Sequence, residues 1–130
     1  MKLNTGRQWL TDTGLAELKD LKQLRSLTLA GFAQVTDRSL KALNGAKQLT
    51  ALTLGRAQVT DAGLKDLKEL KQLKGLNLSA PRMTDAGMKE LKELQHLTSL
   101  TLNGTKVTGA GLKELKALKN LTTLPLGGPR

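Results

Sequence analysis

The sequence predicts an α/β repeat fold in which each repeat contributes one short strand and one short helix. Three observations lead to this prediction. Leucines recur every 24 residues, as at Leu52 and Leu76, and such a period is typical of stacked repeats. Leu52 and Leu54 are two residues apart, which places both side chains on one face of a strand. Leu64 and Leu67 are three residues apart, which is close to the spacing along one face of a helix.

The repeats cover all 130 residues and predict a single domain of about five units. A partial repeat takes residues 1–23, further repeats begin near residues 24, 49, 73 and 97, and a terminal strand takes residues 121–126. One unit has 25 residues, and its extra residue falls within residues 30–34. Because no repeat of this size can bury its own leucines, we expect the core to form between neighbouring repeats.

The helix of each repeat is expected to be short. Leucines spaced by three drift backwards around a 3.6-residue helix, so a fourth leucine would point away from the first. This spacing predicts a helix of about ten residues that begins at Thr60–Asp61. Thr60 would cap the helix, and Asp61 would lie where the helix dipole favours a negative charge. The Thr-Asp pair recurs in the other repeats, except that Gly109 replaces the Asp in the fifth. A glycine in the same column of four repeats, such as Gly63, predicts close approach to neighbouring backbone.

The combined pattern resembles leucine-rich repeats. The phrase L-x-x-L-x-L, followed by V-T-D-x-G-L-x-x-L-x-x-L, is most similar to short bacterial repeats with T-D-x-G-L helix starts, which are similar to the cysteine-containing class. The resemblance implies a right-handed solenoid with a parallel β-sheet on its concave face and short α-helices on its convex face. That family often places Asn, Cys or Thr just after the strand, where Thr105 matches but Ala57 and Pro81 do not. A continuous polar ladder in these bends is therefore not expected.

Composition excludes several kinds of function. The absence of Cys excludes disulfides and thiolate chemistry, and a single His excludes a multi-histidine metal site. The Ser and Thr residues lack a His–carboxylate pair to activate them. His96 occupies a column of Gln and Asn, which indicates a surface residue. We therefore expect no catalysis, cofactor or metal. Because neither a signal peptide nor a membrane span is visible, a cytoplasmic location is the default expectation.

The residues that alternate with the strand leucines form the first candidate site. They are small, neutral and mostly polar, without a charge or an aromatic ring. One interpretation is a flat polar groove for an extended peptide or a glycan, and the other is a solvated sheet face without a ligand. The candidate residues are Ser26, Thr28, Ala51, Thr53, Gly75, Asn77, Ser99, Thr101 and Thr123.

The second candidate site is a basic edge where the helices end. Lys and Arg total 21 against 11 Asp and Glu, which gives a net charge of +10. On the helices, bases such as Lys65 stand beside acids such as Asp66 and are expected to pair within and between repeats. At the edge no acid occupies a matching position. The cations there either complement the helix C-termini or bind an acidic partner or a phosphate backbone. The residues of this edge are Lys22, Arg25, Lys47, Lys71, Lys74 and Lys119.

The third candidate site is an apolar end that would support self-association. Exposed strand edges and apolar repeat ends invite pairing with another chain, most simply as a two-fold homodimer. The alternative is that further repeats cover this end. Trp9 and Phe32, near the other end, fit either capping of the first repeats or a small binding patch. The residues of the candidate end are Leu115, Leu118, Leu124 and Leu126.

Together these patterns predict a non-catalytic protein-interaction or scaffold module. One alternative is a module whose basic edge binds nucleic acid or an acidic protein. Nucleic acid is the less favoured partner, because stacking residues and docking motifs are absent. Another alternative is a designed repeat protein without a natural ligand.

Overall fold

The protein forms a five-stranded parallel sheet with a helical segment after each strand. The structure is a computed structural model, and it describes residues 2–4, 12–29, 35–55 and 57–125. The strands lie in sequence order, so each repeat stacks directly on the one before it. The strands are β1 (Lys2–Asn4), β2 (Ser26–Leu29), β3 (Ala51–Leu54), β4 (Gly75–Ser79) and β5 (Ser99–Asn103). The helices are α1 (Asp12–Ala16), α2 (Asp37–Leu43), α3 (Leu64–Leu67), α4 (Asp85–Leu91) and α5 (Gly109–Leu112).

The core lies between the sheet and the helices and consists mainly of leucine columns. In the sheet, Leu52 pairs with Leu27 on one side and with Leu76 on the other, and all three are at most 3% exposed. The neighbouring strand residues are half-buried, which gives β2 to β5 an alternating pattern. This alternation puts the leucines on the core side and the polar candidates on the opposite face.

The sheet register shows where the extra residue of the 25-residue unit lies. Leu29 pairs with Leu54, which is an offset of 25, whereas Leu78 pairs with Leu102, which is an offset of 24. By the start of the next helix the regular spacing has returned, because Asp37 contacts Thr60 across 23 residues, as in later repeats. The insertion is therefore absorbed between strand and helix, where residues 30–34 lie outside the described part of the chain.

The helices are shorter than the predicted ten residues. α2 and α4 have 7 residues, while α3 and α5 have only 4. The reason is that the three-residue leucine spacing is met by i→i+3 turns with three residues per turn. Leu70 bonds back to Leu67 at 2.9 Å and Leu73 to Leu70 at 3.1 Å, so these leucines stay on one side without drifting. In the first and last repeats, 3₁₀ segments take Glu17–Asp20 and Lys113–Ala117.

Several predicted features lie outside the described residues. These are the aromatic pair Trp9 and Phe32 and the last candidate of the apolar end, Leu126. Leu3 lies in β1 and pairs with Leu27, as expected for a strand in the first, partial repeat. None of the described helices combines the length and apolarity that crossing a bilayer requires.

Candidate functional site

The first candidate site is the open sheet face, which we define as the strand residues that alternate with the buried leucines. Across β3, β4 and β5 the register aligns Ala51 with Gly75 and Gly75 with Ser99. Two residues further on, Asn77 lies between its two threonine neighbours on β3 and β5. Six predicted candidates are thereby brought into one three-by-two array, and the array lines a shallow depression of about 200 Å³. The lining candidates are Ala51, Thr53, Gly75, Asn77, Ser99 and Thr101.

The chemistry of this depression is neutral and polar. Hydroxyl groups and the Asn77 amide supply donors and acceptors, while Gly75, which has no side chain, leaves the floor open. The side chains of the array are half-buried, so a ligand there would contact backbone as well as side chains. Parallel strands are about 4.8 Å apart, so the array is about 10 Å wide, enough for one extended segment.

The remaining candidates extend this face on both sides. Thr28 on β2 pairs with Thr53, and Ser26 pairs with Ala51, so both continue the array towards the first repeat. Beyond β5, Ser99 makes an isolated parallel bridge with Thr123, which is exposed. The open sheet face therefore runs from the second repeat to the terminal segment.

The helix-start rim carries a ladder of hydrogen bonds between repeats that the sequence did not reveal. We define this ladder by three aspartate–threonine pairs, in which each carboxylate accepts two bonds from the next repeat. For example, Asp61 accepts the Thr84 backbone N–H at 2.8 Å and the Thr84 hydroxyl at 2.5 Å. The same two bonds join Asp37 to Thr60 and Asp85 to Thr108.

This ladder gives the aspartates a role that the sequence did not reveal. Asp37 and Asp85 lie in the first turns of α2 and α4, where the helix dipole favours a negative charge, and their carboxylates also bridge neighbouring repeats. The ladder runs through the helix starts and not through the bends after the strands, where Ala57 and Pro81 have no polar side chain. The prediction that a helix begins at Thr60–Asp61 with Thr60 as its cap is wrong, because α3 begins at Leu64 after Gly63 and has no side-chain cap. Caps are present in the same column at Thr84 and Thr108, whose hydroxyls accept the N–H groups of Ala86 and Ala110 at 3.3 Å.

The glycine column exists because the ladder needs space. A Cβ atom at Gly63, Gly87 or Gly111 would lie closer than 3.0 Å to a carboxylate oxygen of the preceding repeat's aspartate. The prediction of a close approach is therefore confirmed, although the approaching group is an aspartate side chain and not only backbone. Gly109 differs, because a Cβ there meets nothing within 4 Å.

The ladder also sets the protonation of Asp85. Hydrogen bonds from the Thr108 hydroxyl and the Thr108 backbone N–H lower the pKa of the Asp85 carboxyl, and the Gly111 backbone N–H adds to this. Each bond favours the charged form, because a carboxylate accepts more strongly than a neutral acid. Asp85 is therefore held in the state that the ladder requires.

The helix-end rim carries the predicted basic edge, and all six of its cations are exposed. Two of them cap carbonyl groups: Arg25 donates to the Lys22 carbonyl at 2.6 Å, and Lys22 reaches the Lys19 carbonyl at 3.5 Å. Lys47 has an acidic partner from another column, because its ammonium lies 3.1 Å from Glu69 of the next repeat. The residues of the rim are Lys22, Arg25, Lys47, Lys71, Lys74 and Lys119.

Three cations of the helix-end rim have no polar partner in the described part of the chain. Neither a hydrogen bond nor an ion pair engages the ammonium groups of Lys71, Lys74 and Lys119 there. The hydrogen bond and charge of Lys47 lower the pKa of Glu69, and Lys71 adds to this from a greater distance. The positive charge of this rim is therefore only partly balanced.

The pairing predicted along the helix faces is not observed. Over the described ranges, Lys47–Glu69 is the single ion pair within 4.0 Å. Lys65 and Asp66 are adjacent in sequence and do not face each other on a helix. Asp66 instead accepts a weak bond from the Asn44 amide at 3.4 Å. These charges form a solvated convex face.

The candidate apolar end is less exposed than its sequence suggests. Leu115 is 7% exposed and Leu118 is 4% exposed, so both are part of the core. Leu124 is half-buried and packs against that core. Beyond β5 the backbone continues the sheet, because Leu100 donates to the Thr123 carbonyl at 3.0 Å.

No group of ligating side chains that could hold a metal occurs within the described ranges. His96 is exposed at the turn before β5, as its column predicted. The arrangement offers hydrogen bonds and charge for binding.

Comparison with known proteins agrees with this geometry. A family model described as "Leucine Rich repeat" matches residues 93–116. Among 62 matching solved chains is an internalin from Listeria monocytogenes, with a TM-score of 0.69 and 26% identity. The chain is similar to leucine-rich repeat proteins. As the resemblance implied, its fold is an α/β leucine-rich repeat solenoid.

The internalin match covers 97% of this chain but only 41% of the internalin chain. The protein therefore spans about two fifths of the length of this relative. No curated protein matches the sequence. The likeness fits a protein-interaction module, and leucine-rich repeat folds are typically non-catalytic.

Proposed function

We propose that this protein binds a protein partner through its open sheet face, centred on the depression over β3, β4 and β5. The observation that supports the proposal is that six aligned, half-buried positions of small side chains form one depression. Half-buried hydroxyl and amide groups need hydrogen-bond partners once a ligand removes water from them. A partner that offers backbone N–H and C=O groups meets that need.

The chemistry favours an uncharged, extended segment. The array carries no charge, so a charged partner residue placed there would lose its hydration without gaining a counter-ion. It also lacks the aromatic anchors that dominate tight interfaces. We therefore expect modest affinity that depends weakly on salt.

The experiment is comparative affinity capture from cells of the source organism, read by quantitative mass spectrometry. Asn77→Arg places a long charged side chain in the centre of the depression. The matched control is Glu90→Arg, which introduces the same side chain on the convex face. Proteins captured by the unmodified chain and by the control, but lost with Asn77→Arg, bind the open sheet face. Capture that both variants leave unchanged would contradict the proposal.

Self-association through the candidate apolar end stays a prediction. The buried Leu115 and Leu118 offer little surface, so pairing would depend on the backbone edge of residues 122–125 and on Leu124. Light scattering over a dilution series tests it. A concentration-dependent dimer is expected, and a monomer at high concentration would contradict the prediction.

The cytoplasmic location also stays a prediction.

A further inference from the structure

The helix-end rim holds positive charge that the fold does not need. Lys71, Lys74 and Lys119 are exposed and make no polar contact within the described ranges, and Arg25 lies in the same row. Three aspartates of the helix-start rim, in contrast, join the repeats through the aspartate–threonine ladder.

Lys74 is the most informative of these residues. In three other repeats the equivalent position is a threonine: Thr50, Thr98 or Thr122. The hydroxyl of each threonine donates to a carbonyl of the preceding repeat at 3.1–3.2 Å. Lys74 cannot make the corresponding bond to the Thr50 carbonyl, although its backbone N–H still does, at 2.7 Å. An exposed cation has therefore taken the place of a hydrogen bond between repeats.

The helix dipole does not explain the row. Lys71 and Lys119 follow helix ends, where a cation is mildly favourable. In the same column, however, Gln95 stabilises the turn without charge, because its amide donates to the Lys92 carbonyl at 2.6 Å. Lys74 lies next to the first residue of a strand, beyond the reach of the helix-end effect, whereas Arg25 in the same column donates to the Lys22 carbonyl at 2.6 Å. Charge at Lys74 is thus a separate property of the surface.

We propose that the helix-end rim binds the phosphate backbone of a nucleic acid. Interfaces with nucleic acids are polar and strongly positive, whereas the cores of protein interfaces are depleted in lysine and enriched in aromatic residues. The rim has lysines beside Gln72, His96 and threonines, and the one exposed large apolar side chain among the described residues is Leu21, next to Lys22. Contacts of this kind read charge and shape, so binding is independent of base sequence.

The length of the row sets the expected footprint. From Lys22 to Lys119 the row crosses four repeat steps, which is roughly 19 Å at the strand spacing of a parallel sheet. A duplex advances 3.4 Å per base pair, so the rim would cover about six base pairs. This footprint lies along one edge of the solenoid and leaves the open sheet face free.

The test uses the full chain and a fluorescently labelled DNA duplex of about 20 base pairs, with an RNA duplex of equal length in parallel. The rim variant combines Lys71→Gln, Lys74→Thr and Lys119→Gln, which are the residues that the same columns carry in other repeats. The matched control combines Lys65→Gln, Lys89→Gln and Lys113→Gln, which removes the same charge from the convex helix faces. Thermal unfolding of both variants verifies that they are folded.

Fluorescence anisotropy is measured over a series of salt concentrations. At low salt the unmodified chain is expected to bind both duplexes, and the slope of log K against log salt should be steep. The rim variant should weaken binding by about tenfold or more and reduce the slope by about 2 to 3, because three phosphate contacts are lost. The convex control should retain most of the affinity.

Three results would overturn the proposal. The first is no binding at low salt. The second is equal loss in the rim and convex variants, which would indicate diffuse attraction by the net charge. The third is that the chain also binds polyglutamate or vesicles of anionic lipid and that the rim variant loses this binding to the same extent as binding to the duplexes. That result would assign the rim to an acidic protein or to a membrane surface.

Discussion

The two rims of the sheet use charge in opposite ways. At the helix-start rim, Asp37, Asp61 and Asp85 turn their carboxylates towards the next repeat and accept two hydrogen bonds each. At the helix-end rim, lysines point into solvent, and one of them replaces a hydrogen-bonding threonine. Uncharged side chains such as Thr50 and Thr98 still join the repeats at this rim through their hydroxyls. The contrast is therefore one of charge: the carboxylates of one rim bridge the repeats, whereas Lys71, Lys74 and Lys119 of the other engage no polar group of the described residues.

The largest effect should come from cutting the ladder. Asp61→Ala leaves the Thr84 N–H and hydroxyl, both part-buried, without their acceptors. We expect a loss of about 3 kcal/mol in the free energy of unfolding, measured by urea denaturation, since bonds to a charged group are the stronger ones. The matched control is Asp66→Ala, which removes only the 3.4 Å bond from Asn44. Equal losses in the two variants would contradict the structural role of the ladder.

This ladder shows why part of the structure escaped sequence reasoning. Its signals were visible, because the Thr-Asp pair and the glycine column recur in register. The pairing itself joins Asp61 to Thr84, 23 residues away, and depends on the side-chain rotamer, which a local reading cannot choose. The leucine columns were predictable because their spacing puts them on one face of each strand or helix, and apolar side chains favour the buried face. The open sheet face followed from the same alternation, which placed Thr53, Asn77 and Thr101 correctly in one array.

A smaller effect should separate two glycines of the same helix. Gly111→Ala pushes a Cβ atom into the Asp85 carboxylate, so we expect a loss of about 2 kcal/mol from the forced shift. Gly109→Ala meets nothing within 4 Å and replaces a poor helix former, so a gain of up to about 1 kcal/mol is expected. Thermal unfolding of the pair measures both. Destabilisation by Gly109→Ala as large as that by Gly111→Ala would show that glycine flexibility, and not space for the aspartate, explains the column.

The pH dependence of stability should reveal the same ladder more weakly. The folded-state pKa of Asp85 lies below its ordinary value because of the two Thr108 hydrogen bonds, so the folded state binds this proton less readily than the unfolded chain does. The contribution of Asp85 is therefore fully present above the unfolded pKa and is lost as pH falls through the folded pKa. In Asp85→Asn, the urea midpoint should therefore fall less steeply below about pH 4 than it does in the unmodified chain. An unchanged pH profile would contradict this assignment.

The smallest effect should come from the ion pair of the helix-end rim. Lys47 and Glu69 are 62% and 44% exposed, so water and salt screen their attraction, and ordering two long side chains offsets the gain. Glu69→Gln should leave the thermal midpoint unchanged within error, at low salt and at high salt, although the Lys47 ammonium lies 3.1 Å from the Glu69 carboxylate and lowers its pKa. A drop comparable to that of Asp61→Ala would mean that charge at the helix-end rim also holds the repeats together. The contrast between the rims would then fail, and the unpaired lysines of that rim would need a structural explanation as well.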